Sequence, residues 1–181
     1  MEKIINWLIG LEEWAGRLCA ASARCAAADH PAAARVFTAL SADEAEHAAY
    51  LEDALKCCLH SETLPETIRL DQATIGRAEA PLRQLQETLD GGCPHWETLV
   101  AKVIETERSE WNDLFLYVVE TVKSRCPEMT QVAPHVQQHL RYIEKHLATI
   151  APDKDWTTAM RAIPPVWQEN ILVVEDEAPI A

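Results

Sequence analysis

The chain has 181 residues, of which 48% are hydrophobic and 25% are charged, a composition typical of folded globular proteins and not of disordered ones. Its 16 basic and 29 acidic side chains give a formal net charge of −13. This charge argues against nucleic acid and anionic membranes as partners, because both bind basic surfaces. The length predicts one main domain, and a content of only 5 glycines favours an all-α fold.

The sequence offers no candidate for a membrane span or a secretory signal. Charged side chains interrupt every apolar stretch before it reaches the roughly 20 residues that a spanning helix needs. Glu12 and Glu13 stand where a signal peptide would have its cleavage region, so we expect a cytoplasmic protein. The six cysteines form no Cys-x-x-Cys pair, and we expect buried or partly buried thiols. A redox-active vicinal pair, Cys57-Cys58, is the alternative.

Hydrophobic periodicity predicts two long helices at the start of the chain, over about 2–28 and 32–60. They are separated by the break at 29–31, where Pro31 is suited to begin the second helix. Two helices joined by such a tight turn form an antiparallel hairpin. The proline- and glycine-containing segment 61–92 follows, and we interpret it as a long crossover that contains a shorter helix.

A second pair of helices is predicted over about 94–125 and 130–150. Two helical hairpins joined by a long crossover describe a ferritin-like four-helix bundle, which we assign to residues 1–150. Residues 151–181 are predicted to form one further short helix and a C-terminal tail.

Five polar residues interrupt the apolar stripes of these helices: Glu12, Glu44, His47, Glu107 and His139. Burying a carboxylate without compensation costs several kcal/mol. A pair of divalent metal ions would compensate the charge, and carboxylate oxygen with imidazole nitrogen suits iron or manganese better than a structural zinc. The alternative is that each side chain lies at a bundle end or is a hydrogen-bonded core group. By the same helical phase, Glu13, Glu46 and Glu105 face solvent.

The second and fourth helices share an internal repeat. The segments HAAYLEDAL and HLRYIEKHL both read H-x-x-Y-[L/I]-E-x-x-L, and the second begins at His139. Three residues before this histidine, the repeat requires a counterpart of Glu44, but the residue there is Val136. His135, one turn before His139, and Gln137 are the nearby substitutes.

The pattern E…E-x-x-H…E…H over residues 1–150 resembles the rubrerythrin branch of the ferritin-like superfamily. The resemblance implies a non-haem di-iron centre, with manganese or zinc as alternatives. It further implies reduction of oxygen or peroxide, or oxidation of ferrous iron, in a homodimer. The implied metal ligands are Glu12, Glu44, His47, Glu107 and His139. Because the glutamate of the fourth helix is missing, the site could use His135 instead, hold one metal ion, or be degenerate. The chain lacks the paired Cys-x-x-Cys motifs of a rubredoxin domain, so its electron donor is unknown.

The last residues, 170–181, read NILVVEDEAPIA and resemble the first strand of a response-regulator receiver domain. That resemblance would place Glu175 and Asp176 at magnesium-binding positions, although the rest of a receiver sheet is missing. A short apolar tail that pairs with other strands is the alternative. The second functional hypothesis is therefore a non-catalytic metal or redox sensor, or an interaction module, with a degenerate site linked to two-component signalling; Val136 favours it.

Overall fold

The computed structural model describes residues 1–59, 71–123, 126–132, 141–143, 145–148 and 150. Over these residues the chain is helical and contains no strand, which confirms the all-α class. The helices are α1 (Glu2–Ala26), α2 (Pro31–Leu59), α3 (Gln72–Asp90), α4 (Trp96–Glu107) and α5 (Glu110–Val122), followed by a 3₁₀-helix over Pro127–Gln131. In this part of the chain, the helices fall short of the length and apolar character needed to cross a membrane.

The first hairpin, α1 and α2, agrees with the predicted helices to within a few residues. Pro31 begins α2, where its missing N–H costs nothing. The N–H of Ala33 donates to Nδ1 of His30 at 3.1 Å, so the turn itself caps the helix. Near the middle of the hairpin, the Ser41 hydroxyl donates to the carbonyl of Gly16 at 2.9 Å. These contacts fix the alignment of the two helices.

The predicted crossover contains α3, which lies along α1 and runs in the same direction. The indole N–H of Trp7 donates to Glu79 at 3.0 Å, and that of Trp14 donates to Gln86 at 3.4 Å. Each partner lies 72 residues further along the chain, so α1 and α3 are parallel and keep the same register at both contacts. The helix ends before Gly92, whose φ of 118° lies in the region that favours glycine.

Two disulfides join the first hairpin to the second half of the chain. Cys25, near the end of α1, is bonded to Cys93, between α3 and α4. Cys57, near the end of α2, is bonded to Cys126, just after α5. It follows that α4 begins at the end of the bundle where α1 finishes, and that α2 and α5 finish together at the opposite end.

The prediction that all the cysteines are thiols is therefore wrong for four of the six. The paired Cα atoms are 5.1 and 6.2 Å apart, within the usual range for disulfides. Cys19 and Cys58 are buried thiols, as predicted. The partners are 68 and 69 residues apart, and only the packing of the helices brings them together.

The prediction of one continuous helix over 94–125 is also wrong. The chain leaves helical geometry at Arg108 (φ −110°, ψ 10°), and Ser109 is extended (φ −79°, ψ 162°). Serine is favoured at helix N-caps, which have this extended conformation. Val103 and Phe115 are buried on either side of the break, so the apolar pattern continues across it and conceals it.

The helix predicted over 130–150 is described only in part. Its expected start lies instead in the 3₁₀-helix Pro127–Gln131, and its described residues from Val132 onward are helical. Ile143 and Leu147 are buried, as the apolar stripe predicts. The remaining predictions on this helix, together with residues 60–70 and 151–181, lie outside the described residues.

Replacing both Cys57 and Cys126 by serine should lower the free energy of unfolding by about 4 kcal/mol. The reason is that the bridge restricts a loop spanning 69 residues in the unfolded chain. Urea unfolding followed by circular dichroism measures the change. In excess reductant the free energies of unfolding of the wild type and the variant should become nearly equal, because neither protein then has the bridge. A difference below about 1 kcal/mol without reductant would contradict the bridge.

Candidate metal centre

Three side chains from the first hairpin form a buried cluster. Glu12 extends from α1, and Glu44 and His47 extend from α2. One ligand atom of each lies within 4.8 Å of those of the other two. Nδ1 of His47 is 2.9 Å from Oε2 of Glu44 and 3.5 Å from Oε2 of Glu12. The exposed fractions are 0% for both glutamates and 2% for the histidine, so bulk water does not screen their charges.

The local sequence brings these groups to one level of the hairpin. Glu44 and His47 are three residues apart and therefore lie on one face of α2. Gly16 follows Glu12 by about one turn on α1. A Cβ placed on this glycine would lie 3.4 Å from Cβ of Glu44, a distance that indicates close packing of the two helices.

The glutamates predicted to face solvent are in fact exposed. Glu13, Glu46 and Glu105 pair with Arg17, Tyr50 and Lys102, respectively, on the outer surface. The helical phase of the sequence thus predicts correctly which glutamates of α1, α2 and α4 are buried and which are exposed.

Glu107, the last residue of α4, is also buried, with 4% of its surface exposed. Burial is the main reason why the pKa of the Cys19 thiol is raised. The charge of Glu107 raises this pKa further, and the charge of Glu44 raises it to a smaller extent. The ring of Phe115, on α5, lies 5.5 Å from the ring of His47 and covers the cluster from that side. The second half of the chain therefore contributes one carboxylate and one aromatic cover to the same interior. The predicted ligands His135 and His139 lie outside the described residues.

Burial dominates the electrostatics of the cluster. The pKa of Glu44 rises to about 7, because the carboxyl is removed from water and lies beside the charge of Glu12, while the hydrogen bond and charge of His47 act in the opposite direction. Glu44 is therefore partly protonated near neutral pH, and a cation at this position would replace that proton.

The donor set fits a divalent transition metal. Two carboxylates and one imidazole offer oxygen and nitrogen ligands, which suit iron and manganese and also bind zinc. A 2+ ion would also balance the two carboxylate charges inside the core. These groups would hold the ion from two helices, and Glu107 lies on a third.

Sequence reasoning missed two further polar groups of this interior as site residues. Cys19 lies two turns after Glu12 on the buried stripe of α1, and its exposure is 1%. Ser22 is fully buried, and its hydroxyl has no hydrogen-bond partner within the described part of the chain. Their spacing from Glu12 is the only sequence signal, and small residues such as these are common in ordinary cores.

No protein-family model matches the chain, and comparisons with curated proteins and with solved structures also give no match.

In the metal-free protein, Glu44→Gln should remove part of the pH dependence of stability. The folded chain keeps the Glu44 proton up to a pKa of about 7, whereas the unfolded chain releases it near the ordinary value of 4.5. The free energy of unfolding should therefore fall as the pH rises from 4.5 to about 7. Glu44 should account for about 3 kcal/mol of this fall.

Urea unfolding of wild type and variant across this pH range measures the effect. Glu52→Gln, at an exposed position of the same helix, is the matched control and should keep the wild-type slope. An unchanged slope in Glu44→Gln would contradict the pKa assigned to Glu44.

Proposed function

We propose that this chain is a ferritin-like, rubrerythrin-related protein that binds a redox-active divalent metal, with iron as the preferred ion. The observation that carries the proposal is the fully buried cluster of Glu12, Glu44 and His47, whose ligand atoms lie within 4.8 Å of one another. Keeping two carboxylates in an apolar core is costly unless a positive charge compensates them. A bound cation supplies that charge.

The direction of the helices supports the ferritin-like part of the proposal. The first hairpin is followed by α3, which returns along α1, so that α4 and α5 run in the same direction as α2. A bundle of two hairpins with one long crossover has this order. We also propose that His139 and His135, together with Glu107, would hold a second ion.

The side chains of the centre have distinct roles in this proposal. Glu12 and Glu44 neutralise the ion, Glu44 exchanging its proton for it, while His47 supplies the nitrogen ligand. Phe115 and the surrounding core restrict the access of water. Bound iron would supply electrons to oxygen or peroxide, or be itself oxidised from the ferrous state. The electrons would come from a separate donor, and we propose a homodimer as the assembly.

A metal or redox sensor is the second candidate. Two sequence observations favour it: Val136 replaces the glutamate that the repeat requires, and the segment 170–181 resembles the start of a receiver domain. In this case the same residues would bind the metal without turnover.

Protein purified without chelator from iron-replete cells should contain iron by elemental analysis. About two ions per chain would indicate a complete pair, and about one would indicate a half-site. Glu44→Ala should lose the metal together with the stability that binding confers, because binding and folding are linked. Glu52→Ala, exposed on the same helix, should retain both. Absence of bound metal after anaerobic reconstitution with ferrous iron would contradict the proposal.

The iron-loaded protein should also consume hydrogen peroxide or oxygen when a chemical reductant is supplied. Stopped-flow absorbance measures this consumption, with Glu44→Ala as the inactive reference. Stoichiometric metal without turnover would instead support the sensor.

A further inference from the structure

We propose that the Cys25–Cys93 disulfide is a site of thiol–disulfide exchange with a dithiol reductant. Its reduction would loosen the attachment of α4, which carries Glu107, to the end of α1. The two bridges of the protein differ in accessibility. Cys93 is exposed and Cys25 is half-buried, whereas Cys126 is only 1% exposed and its partner Cys57 is half-buried. Exchange requires direct approach of a thiolate to a sulfur atom, so the first bridge is the reactive one.

The backbone around Cys93 is suited to movement once the bridge opens. Cys93 follows Gly91 and Gly92, which are also exposed, and Gly92 has a positive φ. Glycine places few restrictions on backbone angles. The bridge is thus the covalent link that holds this turn against α1. The stacking of His30 on Trp96, with ring centroids 4.1 Å apart, would keep α4 close after reduction, so we expect a loosened helix and not a dissociated one.

The reaction balances as an exchange of two electrons and two protons. A thiolate of the reductant attacks Sγ of Cys93, a mixed disulfide forms, and Cys25 leaves as a thiolate that takes up a proton. The second thiolate of the reductant then attacks the reductant's sulfur atom in the mixed disulfide, and the bond to Sγ of Cys93 breaks. This step releases Cys93 as a thiol and the reductant as a disulfide. Oxidation is the reverse reaction, with a disulfide as the oxidant.

The position of α4 gives the bridge a means of acting on the metal centre. The helix starts just after Cys93 and ends at Glu107, and the chain leaves helical geometry at the next residues, Arg108 and Ser109. It can therefore shift without moving α5, whose end the less accessible Cys57–Cys126 bridge ties to α2. Glu12, Glu44 and His47 would stay in place within the first hairpin. This link to the metal rests on the proposed function.

The first test follows the order of reduction. The oxidised full-length chain is treated with limiting dithiothreitol, trapped with iodoacetamide at intervals and mapped by mass spectrometry. Cys25 and Cys93 should be alkylated about tenfold faster than Cys57 and Cys126. Equal rates, the reverse order, or alkylation of Cys93 before any reductant is added would overturn the proposal.

The second test measures the effect on α4 and on metal binding. Amide hydrogen exchange in α4 should accelerate in the selectively reduced protein and in Cys25→Ser/Cys93→Ser, but not in Cys57→Ser/Cys126→Ser. Titration with Co²⁺ should show about tenfold weaker binding in the same two cases. Unchanged exchange in α4 would overturn the proposal. If the oxidised wild type binds no Co²⁺, the metal centre fails as a proposal, and the amide exchange still decides whether the bridge controls α4.

Discussion

The structure depends on the burial of two carboxylates around one imidazole between α1 and α2. Close apolar packing resists shifts of one helix along another through shape alone, and aliphatic side chains of similar volume can repack around a small shift. Charged groups in the core do not tolerate such shifts, since each must keep its counterpart. The 2.9 Å approach of His47 to Glu44 and its 3.5 Å approach to Glu12 therefore add to the Ser41–Gly16 hydrogen bond in specifying the alignment of the hairpin. The close packing of Gly16 against Glu44 is consistent with that alignment.

Much of this could be predicted from the sequence, because helical period alone determines which side chains share a face. Glu12 and Glu13 are neighbours in the chain, yet the first is buried and the second is exposed, as their phases require. The same reasoning separated Glu44 from Glu46. Both pairs lie within regular α-helices, where the period of about 3.6 residues determines the face on which each side chain lies.

Two features could not be predicted, and each has a physical reason. The break at Arg108 and Ser109 lies within a continuous apolar pattern, so periodicity could not reveal it. The disulfides join residues far apart in sequence, which only tertiary packing brings together. They also bear on the predicted cytoplasmic location, because thiol buffers of the cytosol reduce permanent disulfides. A bridge that opens and closes, as proposed for Cys25–Cys93, is compatible with that location, whereas the less accessible Cys57–Cys126 bridge argues against it.

Helices α1 and α4 connect the exposed Cys25–Cys93 bridge to the interior that contains Glu12 and Glu107. Glu12 and Cys25 belong to α1 and are separated by about 20 Å at the rise of an α-helix. The opposite path runs along α4 from Cys93 to Glu107. Helices transmit displacement as rigid bodies, whereas loops absorb it. The opening proposed for the Cys25–Cys93 bridge would therefore move Glu107 on this short helix, while Glu12, Glu44 and His47 stay within the first hairpin. The irregular points of the second half thus lie at both ends of α4: Gly91 and Gly92 come before it, and Arg108 and Ser109 follow Glu107.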